Sequence, residues 1–184
     1  MSGYSSKDLE NKLQTAVKWL QNEYKTIRTG QANPALLDAV KVNSYGSLLT
    51  INQLANISVE DAKTLRITPW DNSQIPETEQ AILKSDLGVS VVVDDAGLRV
   101  IFPELTSDRR AGLMKLAKNK LEESKISVRA VRDEFMKVID NMTKAGEIGE
   151  DKKFSLRDEV QSKISDVNKS LENIFSDKEK ELSV

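Results

Sequence analysis

The 184-residue chain predicts an α+β protein of two domains: a long antiparallel three-helix bundle carrying a small α/β domain on a two-stranded hinge. Three observations carry this prediction. Apolar residues recur at steps of three and four along both ends of the chain and not in the middle. The middle, residues 31–104, instead alternates apolar and polar residues and is rich in turn signals. Glycine and proline stand where the pattern changes, at Gly30–Pro34 and at Pro103.

Over residues 5–29 the apolar stripe is Leu9, Leu13, Ala16, Leu20, Tyr24 and Ile27, which is one face of one helix. Lys25 and Arg28 suit the negative end of its dipole, Gly30 is placed to end it, and Pro34 bars continuation. In the middle, Leu37-Asp-Ala-Val40-Lys-Val42 alternates as a strand does, and Leu65-Arg-Ile67-Thr-Pro69 is a second strand. Val89–Val93 and Leu98–Phe102 flank Asp94-Asp-Ala-Gly97, the signature of a hairpin. Between them, Ile75–Gly88 reads as a helix with glycine at its end. Residues 107–145 then form a helix of about 60 Å, with the seam Ala117, Leu121, Ser124, Val128, Val131, Phe135, Val138 and Met142 in strict heptad spacing. Thr106 is its expected N-cap and Gly146 its end. A third helix runs from Glu150 to about Leu182 on the seam Val160, Ile164, Val167, Leu171 and Ile174.

No one of these stripes is buried alone, so the three helices should meet as a bundle of residues 1–30 plus 105–184, with residues 31–104 inserted. The chain would enter the insert at Gly30 and Gln31 and leave it at Leu105 and Thr106. Two crossings side by side make a hinge, and a bent molecule with a movable arm is the expectation.

Composition removes most chemistry. The chain has no Cys and no His, which excludes disulfides, thiol nucleophiles and the commonest general base and metal ligand. There is no phosphate-cradling glycine motif, and no catalytic, cofactor or metal constellation is expected. A hydrolase working through acids such as Asp71 and Asp86 would need them paired in a cleft. Asp94 and Asp95 are accounted for by a turn, and Trp70 by a core or interdomain position. The N-terminus has no leader-like segment, and the apolar run Val91–Val93 is as long as any. A soluble, cytoplasmic monomer is expected.

The formal charge of −2 conceals an uneven distribution. Residues 1–30 carry +2, residues 31–104 carry −5, residues 105–146 carry +4 and the rest −3. On the second helix, Lys118, Lys125, Arg129 and Arg132 fall within roughly 60° of one another at 100° per residue, about 90° from the apolar seam. Arg28, Arg109 and Arg110 add charge near the hinge. Such a stripe can follow a nucleic-acid backbone. Spacing alone equally suits a solvated helix flank laced by i,i+4 ion pairs, for which Glu122, Asp133 and Glu134 are available. Interleaved aromatics for base stacking are missing, so any nucleic acid would be read by shape and phosphate.

Six segments in order complete the reading: Ile27–Asp38 (IRTGQANPALLD), Gln53–Ser58 (QLANIS), Pro69-Trp-Asp71, Ser85-Asp-Leu-Gly88, Leu105–Arg110 (LTSDRR) and Ser127–Asp133 (SVRAVRD). Together they closely resemble the ribosome recycling factor family, over essentially the whole chain. The resemblance implies a factor that binds large-subunit rRNA through its bundle and, with elongation factor G and GTP, splits post-termination ribosomes, releasing mRNA and tRNA. It implies no bond chemistry by the factor itself, and no DNA, membrane or small-molecule partner. Carried over, the family's rRNA-contacting arginines match Arg28, Arg110, Arg129 and Arg132, while Lys118 and Lys125 join from helical geometry alone. Gly30, Gln31, Leu105 and Thr106 match the hinge. Gln31 and Asp133 stand where the family usually has Arg, and Gly149 where it usually has Ser. A coiled-coil chaperone or adaptor binding protein partners is the alternative reading of the same helices.

Overall fold

The computed structural model describes residues 3–183; Met1 and Ser2, the start of the N-terminal segment read above, and Val184 lie outside the described residues. The chain forms two compact units. One comprises the chain up to Tyr24 with Lys115–Lys180, and the other Lys25–Met114 with the C-terminal end from Glu181.

The first unit is a bundle of α1 (Ser6–Thr26), α4 (Ser107–Lys144) and α5 (Glu150–Ser183), of which it holds all but the ends. Its register is written in side-chain bonds. Along α1 and α4, Tyr24 Oη donates to the Ala117 carbonyl at 2.8 Å, Ser124 Oγ to the Ala16 carbonyl at 3.1 Å, and Lys12 Nζ to Glu134 at 2.6 Å. Rising numbers on one helix meet falling numbers on the other, so the pair is antiparallel. Lys125 reaches Glu172 and Arg157 reaches Asp140, making α4 and α5 antiparallel too. Ser6 with Glu159 and Glu10 with Lys163 make α1 and α5 parallel.

Leu9, Leu13, Leu20, Ala117, Leu121, Val128, Val160, Ile164 and Leu171 are buried as the seams require. Ser124 is buried as well, its hydroxyl satisfied on α1. The α4 seam weakens at Val131, which is only partly buried, and departs from its heptad at the far end. Ile139 is fully buried while Val138 and Met142 are only partly so. A helix of 3.6 residues per turn drifts about 20° per heptad, and three heptads after Ala117 a four-residue step from Phe135 restores the face. Ser5 caps α1, its hydroxyl accepting from the Asp8 amide at 3.2 Å. Gly146, at φ +73°, ends α4 with paired bonds from its own amide to Thr143 and from Glu147 to Met142.

The second unit is built on a four-stranded antiparallel sheet in the order β3–β4–β6–β5, from β3 (Ala55–Asp61), β4 (Thr64–Pro69), β5 (Ser90–Asp94) and β6 (Gly97–Ile101). A separate hairpin pairs β1 (Lys41–Ser44) with β2 (Ser47–Thr50), and α2 (Ile51–Leu54) and α3 (Ile75–Lys84) complete it. Its core joins Leu37, Val42, Ile51, Leu65, Ile67, Ile82, Leu98, Val100 and Phe102, all fully buried.

Four sequence expectations change in detail. The first helix ends at Thr26 and not near Gly30; Ile27 and Arg28 beyond it are buried, Arg28 with its guanidinium on carbonyls of the second unit. The strand expected from Leu37 begins only at Lys41; Pro34–Leu37 is a 3₁₀ turn capped by Asn33, whose side chain accepts from the Ala35 amide. The helix expected to reach Gly88 stops at Lys84, where Ser85 turns extended. Trp70 is 70 % exposed, so the core position expected for it is wrong: Pro69 is buried at the end of β4 and the next side chain points outward.

On the solvent face of the sheet, Arg66 and Arg99 are directly paired across β4 and β6, a like-charge contact that two carboxylates offset. Arg66 binds Glu60 at 3.1 Å and Asp94 at 2.7 Å, and Arg99 binds Glu60 at 2.8 Å. The Arg66 guanidinium, with the Ala96 amide, holds the Asp94 carboxyl below its ordinary range. A depressed carboxyl stabilises the fold above its unfolded value, and that contribution disappears as the pH falls through the folded one. Thermal unfolding from neutral to acidic pH should therefore show the second unit losing stability, and Asp94→Asn should remove part of that slope. Parallel curves for the two proteins would deny the network this role.

Candidate nucleic-acid interface

The four stripe cations lie on the bundle part of α4, with seam residues Leu121 and Val128 buried between their positions in sequence. Lys118 is exposed and makes no ion pair among the described residues. Arg129 is exposed, its guanidinium a loose 3.9 Å from Glu122. Arg132 is partly exposed and donates from Nε and Nη2 to Asp133 at 3.0 and 2.8 Å. Lys125 is more deeply engaged: it binds Glu172 on α5 and lies 3.5 Å from Glu122, and the Glu172 bond raises its pKa. The stripe is therefore graded. Lys118, Arg129 and Arg132 present charge to solvent, while Lys125 also ties two helices together.

These partners weigh on the two readings of the spacing. Exposed pairs of this kind are worth about 0–1 kcal/mol, so a phosphate can displace them at little cost. A flank made only for ion pairing would leave Lys118 without purpose.

Arg28 and Arg110 belong to the other unit. Arg110 is partly exposed and donates to the Ser183 carbonyl at 3.1 Å. Arg28 departs from the expectation of an outward phosphate contact, being only 6 % exposed. Its Nη1 donates to the carbonyls of Leu87 and Gly88 at 2.7 and 2.9 Å, its Nη2 to that of Pro103, and its guanidinium lies over the Phe102 ring. Burial, and then the charge of Arg109, lower its pKa.

Among the residues expected at the hinge, Gly30 has open space where a Cβ would stand, and Gln31 is exposed. Leu105 is buried, and Thr106 caps α4 as expected, accepting from the Arg109 amide at 3.3 Å and the Arg110 amide at 2.9 Å. Arg109, read only as bulk charge in the sequence, donates to the Asp86 carbonyl at 2.6 Å. The double arginine could have suggested two roles, but nothing local assigns Asp86 as the partner. The Lys125–Glu172 tie spans 47 residues and leaves no sequence signal.

The acids give no hydrolytic cleft. Asp71 accepts from the Ser73 amide at 2.9 Å and from Tyr45 Oη at 2.9 Å, which keep it ionised below its ordinary range. The Asp86 side chain is fully exposed. Among the described residues no cluster of acids is placed to hold a metal ion, and no helix is long and apolar enough to cross a membrane.

Comparison with known proteins gives a consistent result. The family description "Ribosome recycling factor" matches residues 20–182. The chain is 40 % identical to the ribosome-recycling factor of Marinomonas sp. (strain MWYL1), covering 96 % of this chain and 95 % of that one. It is also 40 % identical to that of Finegoldia magna, covering 99 % and 98 %. A solution structure of a ribosome recycling factor superposes with a TM-score of 0.73 at 33 % identity, covering 97 % of this chain and 95 % of that one. A second structure, of the T. thermophilus ribosome recycling factor with E. coli elongation factor G on the E. coli post-termination complex, superposes with a TM-score of 0.65 at 28 % identity over 95 % of each chain.

Proposed function

The chain belongs to the ribosome recycling factor family, and we infer that it dismantles the ribosome left after termination, acting in the cytoplasm with elongation factor G and GTP. The observation that carries this reading is likeness along nearly the whole chain to recycling factors, both in sequence and in fold.

In this reading the bundle of α1, α4 and α5 binds large-subunit rRNA. Lys118, Lys125, Arg129 and Arg132 run along the phosphate backbone, with Arg110 as a further contact. Arginine suits the task because its fork grips two phosphate oxygens and is weakly hydrated. The insert moves under elongation factor G about the two chain segments that join it to the bundle. Binding energy and GTP hydrolysis by the elongation factor supply the work, and the factor itself makes and breaks no bond. A protein adaptor finds no support among the relatives and gives the stripe no task.

Light scattering of purified post-termination ribosomes tests this directly. A fall in scattering that requires the protein, elongation factor G and GTP together is the expected result. Scattering that stays constant with all three present would refute the reading.

A further inference from the structure

A buried guanidinium without a carboxylate partner is costly unless acceptors surround it. Among the described residues Arg28 has no such partner, and its Nε is buried without a hydrogen bond. What holds it is a set of carbonyls, from Leu87 and Gly88 in the α3–β5 loop and from Pro103 where the chain leaves the insert. Gly88 sits at φ +60°, a conformation that turns this loop close to the guanidinium, 3.4 Å from where a Cβ would stand. One side chain thus joins the entering crossing to the leaving one.

The crossings are also fixed by the backbone. The Ala32 amide donates to the Ala62 carbonyl and the Phe102 amide to the Lys63 carbonyl, both at 2.8 Å. Gly30 and Gln31 therefore lie between two anchors, Arg28 and Ala32, on the same body. For Arg28 to grip a phosphate, the carbonyls would have to be abandoned and the site opened.

We propose that Arg28 is a positioning residue that clamps both chain crossings to the insert, so that the joint used in subunit splitting lies ahead of Arg28 and beyond Pro103. This rests on the recycling reading for its task, but not for its geometry. The fork suits the clamp, since Nη1 serves the Leu87 and Gly88 carbonyls while Nη2 serves that of Pro103, two directions that a lysine presents from a single flexible ammonium. A phosphate contact, by contrast, tolerates lysine as a point charge.

The test uses the full chain and three variants, Arg28→Lys, Arg28→Ala and Gly30→Ala, with Arg132→Ala as reference. Arg28→Lys should bind large subunits within about twofold of wild type, with the same dependence on salt. It should split ribosomes about tenfold more slowly at saturating factor, a loss equivalent to one fork interaction. Hydrogen exchange should quicken in residues 86–89 and 102–105. Gly30→Ala should split at the wild-type rate within about twofold, because the space is open and the residue rides inside the clamped body. Three results would overturn the proposal: a salt slope reduced by about one in Arg28→Ala, as for a lost phosphate contact; full splitting and unchanged exchange in Arg28→Lys; or a splitting defect in Gly30→Ala. Should Arg28→Ala fail to fold, the other two variants decide. If wild type itself splits no ribosomes, the recycling reading fails, and exchange and salt slope still judge the clamp.

Discussion

Arg132→Ala is expected to weaken binding to isolated large ribosomal subunits about tenfold, or about 1.4 kcal/mol, while leaving the bundle folded. The side chain is partly exposed and, among the described residues, bonds only to its neighbour Asp133. Losing an exposed pair costs under about 1 kcal/mol, and alanine repays part of it through helix propensity. Phosphate contacts release counterions, so the logarithm of affinity against the logarithm of salt should become shallower by about one. Two comparisons sharpen the test. Asp133→Asn should shift affinity the other way, since it frees the guanidinium and removes an anion from the interface. Lys125→Ala should lower both affinity and thermal stability, because Lys125 also ties α4 to Glu172 on α5. Wild-type affinity and slope in Arg132→Ala, at unchanged helicity, would remove the stripe from the interface.

The contrast between Arg132 and Arg28 shows what the sequence can and cannot carry. The three bundle helices were legible because burial of a stripe repeats every three or four residues, and such periodicity survives in a list of letters. Even there the heptad misplaced Val138 in favour of Ile139, since drift accumulates with length and has no local mark. The hairpin at Asp94–Gly97 was legible from its turn, but β2 and β3 were not read, because Ser47–Thr50 and much of Ala55–Asp61 are exposed and lack a clean alternation. For the site, helical angle alone gathered Lys118, Lys125, Arg129 and Arg132 on one face. It could not show that Arg28 turns inward, since that depends on carbonyls about 60 and 75 residues away in the chain. Resemblance named Arg28 among the rRNA contacts, and only its surroundings assign it different work.

Gly97→Ala is expected to be the most damaging small substitution in the second unit. Gly97 opens β6 at φ +129°, opposite Asp94, and an added Cβ would stand 2.3 Å from the Ile67 carbonyl oxygen and 3.1 Å from Pro69 Cδ. The conformation alone costs an L residue about 1–3 kcal/mol. The clash adds to it, because the obstacle is backbone of β4, the strand that pairs with β6 in the middle of the sheet. Relief would pull apart Ile67 and Leu98, which are register partners and both fully buried. A total of about 3 kcal/mol or more follows, enough to lower the melting temperature of a unit this size by about 12 °C or more. Two other glycines separate the causes. Gly46, at φ +83° with nothing near its Cβ position, should lose only about 1 kcal/mol as alanine, through conformation alone. Gly112, inside α4 with open space around it, should gain up to about 1 kcal/mol. Hydrogen exchange assigns each loss: in Gly97→Ala, β4 and β6 should lose protection while residues 117–139 of α4 keep theirs. Equal destabilisation in Gly46→Ala and Gly97→Ala would mean that left-handed strain, and not the approach of β6 to Ile67, makes glycine necessary at the turn.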